Sequence, residues 1–419
     1  MKFSYGKTFL LGLGFFGVSV IWSVYNAYVP VFLQDRFALT AGFIGIFMTL
    51  DNVASLFIQP IVGTWSDNLR TRIGRRLPFI LVGAPIAAAS FIFLPISKSL
   101  FLFFLAALML ILSMAVWRTP VIALMPDITP SEHRSVANGI INLMGGLGAI
   151  IAFLGGARLY DISPEYPFLL GSALVVLSAV LVFIFVREPK VYPPSEAEKP
   201  DLIKAIKELF VAKEKSPLLM LLAILFWFIS YSGIEALFTL YAVNYLKLTV
   251  SDGSRLLGQL SLLFVIFALP AGYIGRAVGR RKTIMTGIVL MAIGVVSLFL
   301  VPVTTLTHVV TSLPALGQVP IIGLILMGTG IAWALININS LPMVVDMTDE
   351  IHNGTFTGLY YLFSTLAAII GPIMYGWVIQ LSGSQYNLVM LVSPIFLIAA
   401  FFCMMFVKRG EAKQPDPLV

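Results

Sequence analysis

The chain has 419 residues, 59% hydrophobic and 11% charged, where a soluble domain carries about 25% charge; a soluble globular domain is excluded and a polytopic membrane protein is left. Its net charge of +7 is spread over the loops between apolar runs, where it orients the chain in a bilayer and does not mark nucleic-acid binding. A single cysteine, Cys403, excludes an internal disulfide and any cysteine-based metal site.

Apolar windows long enough to span a bilayer fall at roughly 7–33, 40–62, 78–96, 100–125, 138–157, 166–186, 216–246, 254–275, 283–303, 318–345, 356–381 and 386–407. The first, about Thr8 to Leu33, is too long for a signal peptide and lacks a cleavage site, so it is the first membrane helix. The spacing predicts an all-α membrane protein with twelve transmembrane helices and both termini on one side. Assigning loops alternately puts twenty-one basic residues on the side of the termini and five on the other, with Arg118 inside a span. Both termini are therefore expected in the cytoplasm of a plasma membrane.

Helix 1 offers Trp22, Tyr25, Asn26 and Tyr28. Helix 2 carries Asp51, twelve residues before Gly63 and so roughly 18 Å from the cytoplasmic end at 1.5 Å per residue. A carboxylate at that depth needs a partner or a proton, and such groups often mark a substrate or proton path. Asn52 is beside it, and Ser55 and Gln59 continue one polar helix face. The loop that follows, Gly63 to Ile80, holds Asp67, Gly74 and four arginines, Arg70, Arg72, Arg75 and Arg76; Pro78 opens the next helix, where a missing donor costs nothing. Arg118 lies nine residues before Asp127, again near mid-membrane, and its permanently charged guanidinium needs an anionic or carbonyl partner. Helix 5 contributes Asn142. Its Gly145-Gly146-x-Gly148 has no preceding strand and is a close-packing surface, not a nucleotide loop.

Residues 187–215 are polar and proline-rich, then weakly amphipathic from Asp201. They divide the chain into an N-terminal six-helix bundle (1–188), a cytoplasmic linker (189–215), a C-terminal six-helix bundle (216–407) and a cytoplasmic tail (408–419). Helix 7 holds Trp227, Tyr231 and Glu235, the third ionisable group inside a span with Asp51 and Arg118. Internal repetition supports the division: 127–139 matches 346–358 in Asp, Thr, His and Gly at a constant offset, and Gly272, Arg276 and Gly279-Arg280-Arg281 repeat the first arginine-rich loop. Two related halves around a central cavity are the expected architecture. In the second copy Arg276 stands where Asp67 stands in the first. Trp333, Asn337 and Asn339 in helix 10 and Tyr360 in helix 11 complete the polar and aromatic groups at membrane depth. Aromatic faces and bidentate polar groups in a dry cavity are what a sugar requires. His133 and His352 lack ligand-spaced partners, no metal site is expected, and the sequon at Asn353 falls on the cytoplasmic side.

The spacing Gly63, Asp67, then Gly74-Arg75-Arg76 resembles the signature loop between helices 2 and 3 of the major facilitator superfamily of transporters. The longer run from Gln59 to Asp67, with Gly74 to Ile80, is similar to the sucrose-proton symporters, close to the cation-coupled glycoside, pentoside and hexuronide symporters. Ala123-Leu124-x-x-Asp127 resembles the end of helix 4 in the sucrose symporters, whose arginine would fall at Ile122; here Arg118 is one turn further in. Sodium-coupled members of the melibiose-type branch use helix 2 carboxylates that map onto Gln59 and Ser55, and neutral side chains there favour protons as the coupling ion.

The resemblance implies the major facilitator fold, two pseudo-symmetric six-helix bundles, and proton-coupled symport of a sugar, a disaccharide or other glycoside, by alternating access. It implies a conformational latch from Gly63, Asp67, Gly74, Arg75, Arg76, Asp127 and Arg134, with Arg276, Arg280, Arg281 and Asp346 as the second-half counterpart. The expected proton-coupling residues are Asp51, Glu235 and Arg118. The expected sugar-binding residues are Tyr25, Asn26, Asn52, Gln59, Arg118, Asn142, Trp227, Tyr231, Glu235, Trp333, Asn337, Asn339 and Tyr360. No cofactor beyond the proton gradient is expected, the partners being sugar, proton and lipid, and the protein a monomer. The alternatives are a proton-coupled exporter of drugs or metabolites and, from another class, a membrane scaffold or enzyme; no nucleophile, metal cluster or phosphate loop supports an enzyme.

Overall fold

The computed structural model describes residues 5–129, 133–188, 202–314, 316–348 and 353–411. Among these, twelve helices are long and apolar enough to cross a membrane. The first half holds α1 (Tyr5–Asp35), α2 (Ala41–Phe47), α3 (Leu50–Asn68), α4 (Leu77–Ile96), α5 (Leu100–Ile128), α6 (Arg134–Ile150) continued by a π-helical segment at Ile151–Gly155, α7 (Gly156–Tyr160) and α8 (Tyr166–Phe185). After α9 (Leu202–Val211) come α10 (Ser216–Asn244), α11 (Val250–Val278), α12 (Arg280–Leu300), α13 (Val303–Leu306) and the hairpin of β1 (Val309–Leu313) and β2 (Gly317–Pro320). Three helices finish the chain, α14 (Ile321–Val345), α15 (Asn353–Leu381) and α16 (Leu388–Phe406).

Local chemistry sets several helix ends. The Ser99 hydroxyl caps α5 by accepting the Leu102 N–H at 3.3 Å. Pro78 sits in the first turn of α4. The turn into α4 passes through Gly74 at φ 122°, and α12 starts directly after Gly279 at φ 105°, backbone conformations that a β-carbon disfavours.

Three features break the expected continuity. The second span is interrupted at Met48–Thr49, which puts Asp51 in the first turn of α3, where unpaired backbone N–H groups favour a carboxylate. The fifth span contains the π segment, whose wider turn disturbs the regular carbonyl ladder; there the Phe153 carbonyl accepts the Ser254 hydroxyl at 2.9 Å. Between α13 and α14 the β-branched run Val309, Val310, Thr311 favours extended backbone, and β1 pairs antiparallel with β2, Val309 opposite Pro320 and Leu313 opposite Gly317.

The chain forms two compact units, unit 1 (Met1–Thr40, Phe47–Ser195 and Phe238–Gly258) and unit 2 (Ala41–Ile46, Glu196–Leu237 and Gln259–Val419). Unit 1 takes in Phe238–Gly258 from later in the sequence, and unit 2 takes in Ala41–Ile46 from earlier in it. Inside unit 1, α1 lies close along α6: the Ser19 hydroxyl faces Gly145, and the Phe16 carbonyl sits where a side chain at Gly148 would be. The small residues of helix 5 are thus a packing surface, as their pattern predicts. At the end of unit 1 away from the Arg75 loop, Tyr28 stacks on Tyr160 with centroids 4.8 Å apart and donates to the Ser254 hydroxyl at 3.0 Å. Nearby the Asn244 amide donates to Gln34 at 2.8 Å, and Arg255 pairs with both Asp161 and Asp252.

Inside unit 2, Ala271, Ala334 and Leu335 form a core between α11 and α14 with Phe264, Phe267 and Ile338 around it. The Ser230 and Ser393 hydroxyls join α10 to α16, and the Gly42 N–H donates to Gln380 at 3.2 Å, joining α2 to α15.

Candidate functional sites

The densest polar constellation lies in unit 1, where the ends of α3 and α5 meet the start of α4. Asp127 at the end of α5 takes Arg75 at 2.7 Å and Arg76 at 3.0 Å, and Arg76 also pairs with Asp67. The Ser66 hydroxyl accepts from Arg76 as well. Asp127 is 13% exposed and Asp67 53%, so Asp127 is the better shielded anchor. Glu188, just after α8, accepts the backbone N–H groups of Arg75, Arg76 and Leu77 at 2.8, 2.8 and 2.7 Å. A carboxylate there satisfies the orphan donors of α4 and meets the positive end of its dipole. Gly63 has room for a methyl group, with Thr119 Cγ2 at 3.7 Å. The Arg134 side chain lies outside the described residues.

Unit 2 carries a related clamp. Glu411 accepts the N–H groups of Arg280 at 2.6 Å and Arg281 at 3.1 Å at the start of α12, and Arg280 pairs with Asp346 at the end of α14. Arg281 instead donates to the Met404 and Met405 carbonyls of α16, and Arg276 is exposed. Replacing Asp67 by Arg276 removes one carboxylate, so this clamp rests on a single aspartate side chain among the described residues. Sequence reasoning missed Glu188 and Glu411. The signal was present: each follows a transmembrane helix within a few residues and comes one or two positions after an arginine, in Val186-Arg187-Glu188 and Arg409-Gly410-Glu411.

Asp51, Arg118 and Tyr25 all belong to unit 1. Asp51 lies within Coulomb range of Arg118 and of the Tyr25 phenol, and the Asn52 amide donates to its carboxylate at 3.1 Å. Trp22 meets Tyr25 edge-on at 5.5 Å and 82°. Gln59 is two turns along α3 from Asn52, its amide donating to Ser55 at 3.0 Å. Asn26 is half-buried and Asn142 exposed.

In unit 2 the aromatic groups of α10, α14 and α15 converge. Tyr231 and Trp333 stack face to face, centroids 4.0 Å apart and planes 4° from parallel. Phe228 stands edge-on to Trp333 at 5.2 Å and to Tyr360 at 6.3 Å, and the Tyr360 and Ser340 hydroxyls are 3.1 Å apart. Glu235, one turn from Tyr231, lies within Coulomb range of its phenol. Phe228 and Ser340 were not singled out from the sequence, because one phenylalanine among 32 and one serine in an apolar helix carry no distinguishing pattern. Trp227 is fully buried, and Asn337 is half-buried.

Asn339 is placed differently. Its amide donates to the Ala271 and Leu335 carbonyls at 3.0 Å each, which staples α14 to α11. Asn339→Ala is expected to lower stability by about 1–3 kcal/mol, since a lost bond leaves a buried carbonyl unpaired. Thermal unfolding in detergent with and without substrate checks this; unchanged stability with lost substrate binding would return Asn339 to the binding set. Among the described residues no group of three His, Cys, Asp or Glu side chains is placed to hold a metal ion.

Among the described residues, twelve helices long and apolar enough to cross a membrane, with clamped ends and ionisable groups inside the spans, are the features of a multi-pass membrane protein. A sequence profile described as Major Facilitator Superfamily matches residues 11–342 and 260–418, and the chain belongs to that family. The quinolone resistance protein NorA of Staphylococcus aureus (strain MRSA252) is 24% identical over 262 residues, covering 62% of this chain and 64% of NorA; the match thus spans slightly less than two thirds of that relative. The class E tetracycline resistance protein of Escherichia coli is 24% identical over 409 residues, 95% of this chain and 93% of its own length. In fold the chain is similar to a bacterial homolog of the human lysosomal transporter Spinster, with TM-score 0.74, 14% identity and 96% of each chain covered. It is equally similar to the nucleoside transporter NupG, with TM-score 0.74, 14% identity and 95% and 99% covered.

Proposed function

We propose that the protein is a proton-coupled sugar symporter that takes up a disaccharide or other glycoside by alternating access, as a monomer in a bacterial plasma membrane with both termini in the cytoplasm. The observation that carries this reading is the Tyr231–Trp333 stack with Glu235 one turn away. An indole–phenol platform matches the apolar face of a pyranose, and a carboxylate beside it accepts hydroxyl protons. Asp51, facing Arg118 and Tyr25, is the proton-coupling group of this scheme, with Glu235 as the second titratable residue of the cycle. The excess of basic residues on the side of the termini supports the orientation.

A second reading is proton-coupled export of drugs or metabolites. The similarity to the quinolone and tetracycline resistance proteins favours it, and an aromatic platform also suits planar drugs.

Reconstitution into proteoliposomes separates the two. Labelled sucrose, maltose or trehalose is expected to accumulate only when the outside is acidic, to the same extent in sodium and potassium buffers because Ser55 and Gln59 offer no charge to a cation. A sodium requirement would move the coupling ion away from protons. Tetracycline accumulation driven by an acidic lumen, with no sugar uptake, would establish the export reading in place of the symport one.

A further inference from the structure

The ten residues of α9 (Leu202–Val211) make a helix about 15 Å long, and both of its ends are tied to membrane-spanning helices of unit 2. At its start Leu202 packs on α15, where a β-carbon on Gly358 would lie 3.0 Å from Leu202 Cδ2, and Gly358 is four residues into a span that begins at Gly354. Beyond its other end, four residues lead to Ser216 and α10. That link is pinned: Glu214 accepts the Ser216 N–H at 2.8 Å, the Lys215 ammonium donates to the Phe210 carbonyl at 2.7 Å, and the Ser216 hydroxyl accepts the Lys408 N–H, just after α16, at 2.9 Å. A helix held by the starts of α10 and α15 and the end of α16 lies where those spans enter the bilayer.

Leu202, Ile206 and Leu209 are half-buried on one side of α9, as their helical spacing predicts. Phe210 and Val211 are left 61% and 84% exposed, with Lys207 one turn before Phe210. Lys204, Lys207, Lys213 and Lys215 are exposed; of the two carboxylates among them, Glu208 and Glu214, the second is engaged by Arg409 at 3.8 Å and by Ser216. The surface is therefore basic with an exposed aromatic ring, at the boundary where the lipid face of α10 and α15 begins. We infer that α9 and the link to α10 form a binding surface for anionic phospholipid headgroups, Phe210 entering the acyl boundary while Lys207 and Lys213 meet the headgroup charge. The inference is independent of which molecule is carried.

The test places an environment-sensitive fluorophore on Phe210→Cys in a Cys403→Ser background and reconstitutes the protein in phosphatidylcholine vesicles. Increasing fractions of phosphatidylglycerol or phosphatidylcholine carrying a nitroxide near the top of the acyl chain are then included. Both lipids are expected to quench the fluorophore. A lysine near an anionic surface is worth about a fivefold enrichment, so half-maximal quenching is expected at a mole fraction of phosphatidylglycerol about tenfold below that of phosphatidylcholine. Lys207→Gln with Lys213→Gln is expected to bring the two within about twofold, as is salt at about 0.5 M, and exposed substitutions of this kind leave the fold intact. Equal quenching by the two lipids in the protein with both lysines overturns the inference, because insertion would then occur without headgroup recognition. A preference that survives the double glutamine variant overturns it too, placing the anion site elsewhere. No quenching by either lipid turns this face away from the bilayer, toward a second copy or a soluble partner, and equally refutes the proposal.

Discussion

Asp51→Asn is expected to abolish proton-driven accumulation of substrate while leaving exchange across the membrane within a few-fold of wild type. One coupled proton converts each unit of pH difference into about tenfold accumulation, so a gradient of roughly two units separates about hundredfold accumulation from none. The amide keeps the size of the carboxylate and an acceptor oxygen but cannot titrate. It also removes the negative charge facing Arg118, and an uncompensated charge inside a membrane protein costs about 3–5 kcal/mol. The single variant therefore risks misfolding for a reason unrelated to coupling. Asp51→Asn with Arg118→Gln keeps the cluster neutral and is expected to recover stability without recovering accumulation, while Asp51→Glu retains both. Uphill transport by a folded Asp51→Asn protein would remove this residue from the coupling role and leave Glu235 to carry it.

Asp127→Asn is expected to do more damage than Asp67→Asn, the reverse of what the opening position of Asp67 in its motif implies. Asp127 receives both Arg75 and Arg76 at 13% exposure, whereas Asp67 receives Arg76 alone at 53%. Losing the shielded anchor should cost about 3 kcal/mol, and losing the exposed one about 1 kcal/mol or less. Because Asp67, Asp127 and Glu188 tie the ends of α3, α5 and α8 to the start of α4, a clamp that forms in only one transport state also biases the conformational equilibrium. A coupling of about 1–3 kcal/mol shifts populations by roughly five- to 150-fold. Thermal unfolding measures the first effect. In a Cys403→Ser background, labelling of one reporter cysteine at the arginine-rich end and one at the opposite end measures the second. Equal stability losses in the two variants would refute the burial argument, and unchanged labelling at both ends in folded protein would leave the clamp as a static brace within unit 1.

The positions of the spans were legible from composition because crossing hydrocarbon is a property of consecutive residues, length and apolarity, and needs no knowledge of neighbours. The same one-dimensional logic singled out Asp51, Arg118 and Glu235, since a charge inside an apolar run stands out wherever the run packs. The Gly74-Arg75-Arg76 loop and its repeat at Gly279-Arg280-Arg281 were equally visible, and the folded chain gives both the same use at a helix start. Partners across long stretches of chain were not. Glu188 reaches Arg75 over a separation of 113 residues, and nothing near either end announces the other. Nor could the sequence tell Asn339, spent on the α11–α14 staple, from Asn337, or pick Phe228 as the ring that stands against both Trp333 and Tyr360. A helix that is apolar all round presents no stripe to show which side meets protein and which meets lipid. Lateral packing, and with it the break before Asp51, the π segment at Ile151–Gly155 and the stacking of Tyr231 on Trp333, was decided only when close contacts between helices chose one arrangement among many of similar hydrophobicity.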